Sequence, residues 1–295
     1  MTAKRAERQN PTGCLYLVGT PIGNLEDITL RALRILKEVD QIACEDTRHT
    51  QKLLAHYDIH KPQVSYHEHN EAKRARELAA AMEQGAKIAL VSDAGTPLVC
   101  DPGQRLVALC LQNQIPVVPI PGPSALLASL SGSGMPTEEF LFVGFLPARS
   151  GERRRNLERL RMEDRTIILY EAPHRITECV AEALDILGNR QACLAREVTK
   201  VHEEFLHGKL TEIIAALQER PARGEITLIL GPPDMAEGHA QADSAQSLAA
   251  RVEELMQQAR LGRKDALKLA AKERGLTRRA AYSQILDMRA DGNET

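Results

Sequence analysis

Tryptophan is absent from this 295-residue chain, and all aromatic residues together make up only 3% of it. That argues against nucleic-acid binding by rows of stacked aromatic platforms. It also leaves the cores to aliphatic side chains, which a 43% apolar content supplies. Charge bias is missing too. With 38 Lys and Arg against 40 Asp and Glu, the formal net charge is −2, so an anionic partner has to be met by a local basic patch. No apolar run is long enough to cross a bilayer, and Met1 to Pro11 is polar with no apolar signal region. The expectation is a cytoplasmic protein with no membrane partner. Its six cysteines contain no C-x-x-C pair, and Cys14, Cys44 and Cys193 lie inside apolar strand-like runs. Such thiols act as small hydrophobes of a reducing compartment, not as a disulfide frame. His67-Glu68-His69 has no Cys or carboxylate partner at ligand spacing, so no metal is expected.

What is present is a repeated strand, loop and helix. Cys14 to Gly19, Gln41 to Cys44, Val64 to Tyr66, Ile88 to Val91 and Pro116 to Ile120 read as strands separated by amphipathic segments. That order implies a parallel sheet with helices on both faces. The unusual residues are all in the strand-to-helix loops, which places a site at one edge of the sheet. Beyond Ser131 to Pro136 the texture changes. Strands at Phe140 to Phe145, Thr166 to Tyr170, Ala192 to Glu197, Glu203 to His207 and Ile226 to Gly231 lie closer together, with fewer helices. A mixed sheet follows. Residues 234 to 246 read as a linker. Helices are expected over Ser247 to Gln258, Lys264 to Glu273 and Thr277 to Met288, the last two resembling a helix-turn-helix around Gly275. The expected fold class is α/β, with domains at 12–133 (parallel sheet) and 134–233 (mixed sheet) and a helical extension at 247–295.

Four loops in the first half carry the chemistry: Gly19-Thr20-Pro21-Ile22-Gly23-Asn24, Glu45-Asp46-Thr47-Arg48, Ser92 to Pro97, and Pro121 to Ala125. The first holds only two glycines and a proline, so it is not the Gly-x-Gly-x-x-Gly loop that cradles a pyrophosphate. Asp93 sits on a turn set by Gly95 and Pro97. It serves either as a cap for a following helix or as a ligand to a polar, partly cationic small molecule. Ser124 is a natural N-cap, with backbone donors that suit a carboxylate. In the second half, Glu171, His174 and Arg175 follow a strand, and Arg196 to Lys200 another. Two basic runs stand out on a net-acidic chain. One includes Arg149, Arg153, Arg154 and Arg155, and the other Arg263, Lys264, Lys268, Arg278 and Arg279. Either they are solvated faces, or they form a footprint for a phosphate backbone.

The motifs Val18 to Asn24, Glu45 to Arg48, Ser92 to Pro97, Pro121 to Ala125, Tyr170 to Arg175 and Gly224 to Leu228 occur in this order. Together they resemble the bacterial 16S ribosomal RNA (cytidine-2′-O)-methyltransferases of the tetrapyrrole methylase superfamily, over about residues 12 to 233. The resemblance implies S-adenosylmethionine held between two α/β domains of a homodimer, and 16S rRNA or the small ribosomal subunit as substrate. It carries cofactor contacts over to Ile22, Asp93, Ala94, Gly95, Thr96, Ser124, Ala125, Tyr170, Ala172 and Thr227. A ribose hydroxyl is a poor nucleophile at neutral pH. Loop position makes Glu45, Asp46, Glu171 and Lys200 the candidate catalytic groups, with Arg48 and Arg175 as phosphate or ribose clamps beside the two basic runs. Two rival readings remain at this point: a tetrapyrrole-like small-molecule methyltransferase of the same fold, and a non-catalytic nucleic-acid-binding regulator.

Overall fold

The computed structural model describes residues 13–233, 248–258 and 262–273. Its first sheet is made by β1 (Cys14–Val18), β2 (Gln41–Cys44), β3 (Gln63–Ser65), β4 (Lys87–Val91) and β5 (Val117–Ile120), in the order β3-β2-β4-β1-β5 and parallel throughout. Helices α1 (Leu30–Glu38), α2 (Thr47–His56), α3 (Glu71–Glu83) and α4 (Gln104–Gln112) alternate with the strands.

Side-chain alternation along each strand explains why both faces are covered. Ile42, Cys44, Ala89 and Val91 pack with Ala32, Ile35, Leu36 and Leu54 of α1 and α2. Ala43, Ile88 and Leu90, one residue out of phase, pack with Ala75, Leu78, Met82, Leu106 and Cys110 of α3 and α4. The chain moves outward through β1, β2 and β3 and then back through β4 to β5. A constant crossover hand therefore puts α1 and α2 on one face and α3 and α4 on the other. The reversal lies between β1 and β4, and it opens a crevice at their carboxyl ends.

The second sheet contains β6 (Phe140–Phe145), β7 (Thr166–Glu171), β8 (Gln191–Arg196), β9 (Glu204–Lys209) and β10 (Ile226–Leu230), ordered β6-β7-β10-β8-β9. β6 and β7 are parallel and the other pairs antiparallel, so the sheet is mixed. Its outer face is covered by α6 (Ser150–Arg159), α7 (Ile176–Leu187) and α8 (Leu210–Glu219). Its other face takes Leu130 of α5 (Ala125–Gly132), which meets Ile168, Cys193 and Ile229. Helix α5 thus starts at the first sheet and ends packed on the second.

The helices Leu248–Gln258 and Arg263–Glu273 bury Leu248, Val252, Leu255, Ala266, Leu267 and Ala270 against each other in a separate small core. The helix expected at Thr277 to Met288, and with it the helix-turn-helix reading, lies outside the described residues. No helix among the described residues is long and apolar enough to cross a membrane.

Candidate functional site

At the β1/β4 crevice the two loops are stitched together. Thr20 N donates to Gly95 O at 2.9 Å and Gly95 N to Thr20 O at 3.0 Å. The β1 and β5 loops touch at their backbones: a Cβ on Gly19 would lie 2.9 Å from Gly122 Cα, so a side chain at either position would push the loops apart. Thr96 Oγ1 donates to Pro123 O at 3.2 Å, and Ser124 caps α5. Of the two readings of Asp93, the helix cap is excluded, because residues 94–103 form a loop and α4 begins only at Gln104. Instead Asp93 Oδ1 accepts from the backbone N–H of Asp46 at 3.1 Å, joining the β2 and β4 loops.

The second sheet closes the crevice from the other side. Because β10 runs antiparallel to β7 and β8, its first residues, Ile226 and Thr227, sit beside the ends of β7 and β8. Tyr170 Oη accepts from Leu126 N at 3.0 Å, its ring lies edge-on to Phe142 at 5.0 Å, and burial pushes its hydroxyl pKa up to about 12. Asn24 N donates to Thr199 Oγ1 at 3.1 Å across the opening.

The result is a cavity of about 420 Å³ between the sheets, within the range of small-molecule sites. Every residue expected to touch a cofactor lines it: Ile22, Asp93 to Thr96, Ser124, Ala125, Tyr170, Ala172 and Thr227. Val99, Cys100, Asp101, Phe145 and Val198 line it as well, and sequence reasoning missed them. Only Asp101-Pro102-Gly103, a turn-forming triplet downstream of Asp93, carried a signal.

The candidate catalytic groups are dispersed. Glu171 lines the cavity, but its side chain is 0% exposed. Its Oε1 accepts from Ala172 N at 2.7 Å and from Arg175 Nε at 2.9 Å, while the buried Oε2 has no partner. Asp46 caps α2 and pairs with Arg48; that hydrogen bonding holds its carboxyl at about 2. Lys200 Nζ is shared by Glu197 at 2.9 Å and Glu225 at 3.0 Å. Its stem lies across Gly23, where a Cβ would come within 2.3 Å of Lys200 Cγ. Glu45 is half-buried outside the cavity wall, its pKa raised first by burial and then by Asp93.

The basic runs are sorted by helix phase. Arg153 is corrected: it stands on the buried stripe of α6 with Leu157 and Leu160, is 1% exposed, and is bound by Glu182 and Glu178. It is a structural residue and not part of an RNA surface. The clamp expected of Arg175 is corrected likewise, since its guanidinium is spent on Glu171 and its side chain is 18% exposed. Arg48, Arg154, Arg155, Lys264 and Lys268 are exposed. Arg154 pairs with Asp185. The Arg263 side chain and all of Arg278 and Arg279 lie outside the described residues. Among the described residues no group of three His, Cys, Asp or Glu side chains is placed to hold a metal ion.

A crevice between a parallel and a mixed sheet, walled by strand-end loops from both, defines a two-sheet α/β protein with its site between the sheets. The model of the tetrapyrrole (corrin/porphyrin) methylases matches residues 14–214, and the chain belongs to that family. Within it, the chain is 46% identical over 284 residues to ribosomal RNA small subunit methyltransferase I of Synechocystis, covering 95% of this chain and 100% of the relative. A Thermotoga maritima protein of the same name is 48% identical over 218 residues, which is 74% of this chain and 98% of the relative. The native form of uroporphyrin III C-methyltransferase from Thermus thermophilus superposes with a TM-score of 0.55 at 25% identity, covering 74% of this chain and 97% of that one.

Proposed function

We propose that this protein transfers a methyl group from S-adenosylmethionine to the 2′-hydroxyl of a cytidine ribose in the 16S rRNA of the small ribosomal subunit, acting in the cytoplasm as a homodimer. S-adenosylmethionine is the methyl donor of this methylase. The reading is carried by one observation above all. A relative 46% identical over 95% of this chain bears the name of a small-subunit rRNA methyltransferase.

The cavity suits that cofactor. Ile22, Val198 and Ile226 offer apolar surface for a nucleoside, and carboxylates at Asp93, Asp101 and Glu225 favour a cation. When bound, the cofactor supplies an electrophilic methyl group. The protein's part is to align the ribose oxygen with it, and alignment supplies most of the acceleration in such displacements. Exposed Arg48, Arg154, Arg155, Lys264 and Lys268 are proposed to hold the RNA backbone without reading sequence.

The test is mass spectrometry of rRNA nucleosides from cells with and without the gene. A 2′-O-methylcytidine should disappear on deletion and return on complementation. An unchanged nucleoside profile would sink the reading, as would methyl transfer to a tetrapyrrole by the purified protein.

A further inference from the structure

Helix α4 has to start without a cap of its own. Its N-cap position is Gly103, and no side chain there accepts from the first turn. A capping residue does not fit in its place, because φ at Gly103 is 141° and a Cβ would lie 2.8 Å from Leu90 Cδ2. The cap comes instead from another helix. Glu71, the first residue of α3, accepts through Oε1 from Gly103 N at 3.2 Å and from Arg105 N at 3.4 Å. The same oxygen accepts from Tyr66 Oη at 3.0 Å, and Oε2 lies 3.7 Å from Arg105 Nε. We propose that Glu71 is a positioning residue for the methyl donor: by capping α4 from outside, it fixes the exit of the β4–α4 loop and so sets the cavity wall at Val99, Cys100 and Asp101. The inference concerns the cofactor half of the reaction and holds whichever atom receives the methyl group.

A loop of twelve residues between Val91 and Gln104 needs both of its ends fixed. Its first half is tied to the neighbouring loops by Gly95 on Thr20 and by Thr96 on Pro123. Its second half is on the cavity wall yet tied more lightly. Among the described residues, the one backbone–backbone hydrogen bond made by residues 97–102 is local, from Val99 N to Thr96 O at 3.4 Å. The Ser92 hydroxyl bonds the Asp101 carboxylate from the strand side. Leu98 and Cys100 take φ of 73° and 66° in this stretch. Left-handed backbone at non-glycine residues persists only where the surroundings over-determine it. The end of β4 supplies one constraint and Glu71 the other.

Glu71 is itself held in place. After β3 the chain turns through His67 N on Asn70 Oδ1 at 2.9 Å and Asn70 Nδ2 on Ser65 O at 3.1 Å, and α3 begins at the next residue. Tyr66 is fully buried on the α3 and α4 face of the sheet. Burial, and then its bond to Glu71, pushes the Tyr66 hydroxyl pKa up, so it stays a donor throughout the working pH range. The Glu71 side chain is 16% exposed and lies at the amino ends of two helices, α3 and α4, which both favour an anion.

The test is calorimetric titration of S-adenosylmethionine, with amide exchange of residues 98–105 followed by mass spectrometry. Glu71→Ala should raise the cofactor Kd by at least about tenfold, because the wall is no longer preorganised. Exchange across 98–105 should quicken in the same variant. Glu71→Gln keeps an acceptor oxygen in the same place, so its Kd should lie nearer to wild type than to Glu71→Ala. Leu36→Ala, which empties a buried site on the opposite face of the same sheet, should lower Tm and leave Kd within about threefold of wild type.

A Glu71→Ala Kd within about threefold of wild type would overturn the proposal however far Tm falls. So would a Kd loss that Leu36→Ala reproduces at an equal fall in Tm, or one that Glu71→Gln shares in full. The wild-type protein covers a variant that fails to fold. Its 98–105 segment should exchange at least about tenfold more slowly than a free peptide, and exchange at the free-peptide rate with and without cofactor also overturns the anchor.

Discussion

Replacing Arg153 with alanine decides between two roles for the same arginine. In the sequence it belongs to a basic run suited to RNA. In the structure its Nε and Nη2 form a fork on Glu182 at 2.6 and 3.1 Å, Nη2 also meets Glu178 at 3.1 Å, and Nη1 donates to Ala148 O at 3.3 Å. Burial alone would raise the Glu182 carboxyl, yet the hydrogen bonds and charge of Arg153, with Ser150, hold it below its ordinary value. Arg153→Ala therefore strands a largely buried carboxylate, which typically costs about 3–5 kcal/mol. Glu182 keeps Ser150 and is 13% exposed, so the lower end, about 3 kcal/mol, is expected. In a chain of this size that lowers Tm by roughly 6–12 °C. The sign with pH is fixed. Glu182 has a depressed folded pKa, so the pair's contribution is present above the unfolded value of about 4.3 and is lost as pH falls through the folded one. The gap between wild type and variant should close in acid. Thermal melts monitored by circular dichroism read the first effect, and filter binding to 16S rRNA at several salt concentrations reads the second. An Arg153→Ala protein that melts with wild type but binds RNA more weakly, with a salt slope shallower by about one, would refute the structural role.

Deleting residues 240–295 should impair rRNA methylation while leaving the calorimetric Kd for S-adenosylmethionine unchanged, because the helix pair has a core of its own; loss of both would place it in the main body. Tyr170→Phe strands the amide of Leu126, an unmet donor worth about 1–3 kcal/mol, and the resulting shift of Ser124 and Ala125 should weaken cofactor binding; an unchanged Tm and Kd would show that water replaces the hydroxyl. Leu130→Ala and Leu157→Ala remove the same side chain from opposite faces of the second sheet, at about 2–5 kcal/mol each. Only Leu130→Ala should also raise the cofactor Kd, by about tenfold, because α5 begins at the cavity; equal Kd values would show that the two faces are uncoupled.

Much of the site was legible because its loops break local rules. Proline and glycine at the ends of apolar runs, as in Thr20-Pro21-Ile22-Gly23 and Gly95-Thr96-Pro97, announce backbone that is neither strand nor helix. What a loop does with its acid was not legible. Asp93 read equally well as a helix cap until the following segment proved to be a long loop and its carboxylate met the amide of Asp46. Asp101 was legible only as part of a turn-forming Asp-Pro-Gly triplet, since its place in the cavity wall depends on four residues of positive φ and not on its distance from the strand. Arg153 was legible and overlooked. Its spacing to Leu157 and Leu160, four and then three residues, is the inward stripe of a helix, and counting charges without regard to phase assigned it to the wrong surface. The order β3-β2-β4-β1-β5 could not be read at all, because periodicity says which residues are buried but not which strands are neighbours.

The cavity depends on the relative position of two sheets that share no strand, so something has to fix the gap between them. Helix α5 is the element built to do it. Its first turn carries Ser124 and Ala125 at the cavity wall, its second residue donates to Tyr170 of β7, and its far end seats Leu130 on Ile168, Cys193 and Ile229. A helix is the stiffest spacer a short segment can offer, since its length is set by hydrogen bonds and not by side-chain choice. Across the opening, Asn24 on Thr199 and Gly23 under Lys200 add a second tie. That tie runs through exposed polar atoms and competes with water, so it fixes position less strongly than the apolar seat of α5. One end of the cavity is held by packing and the other only by loops, so the loop side costs less to open.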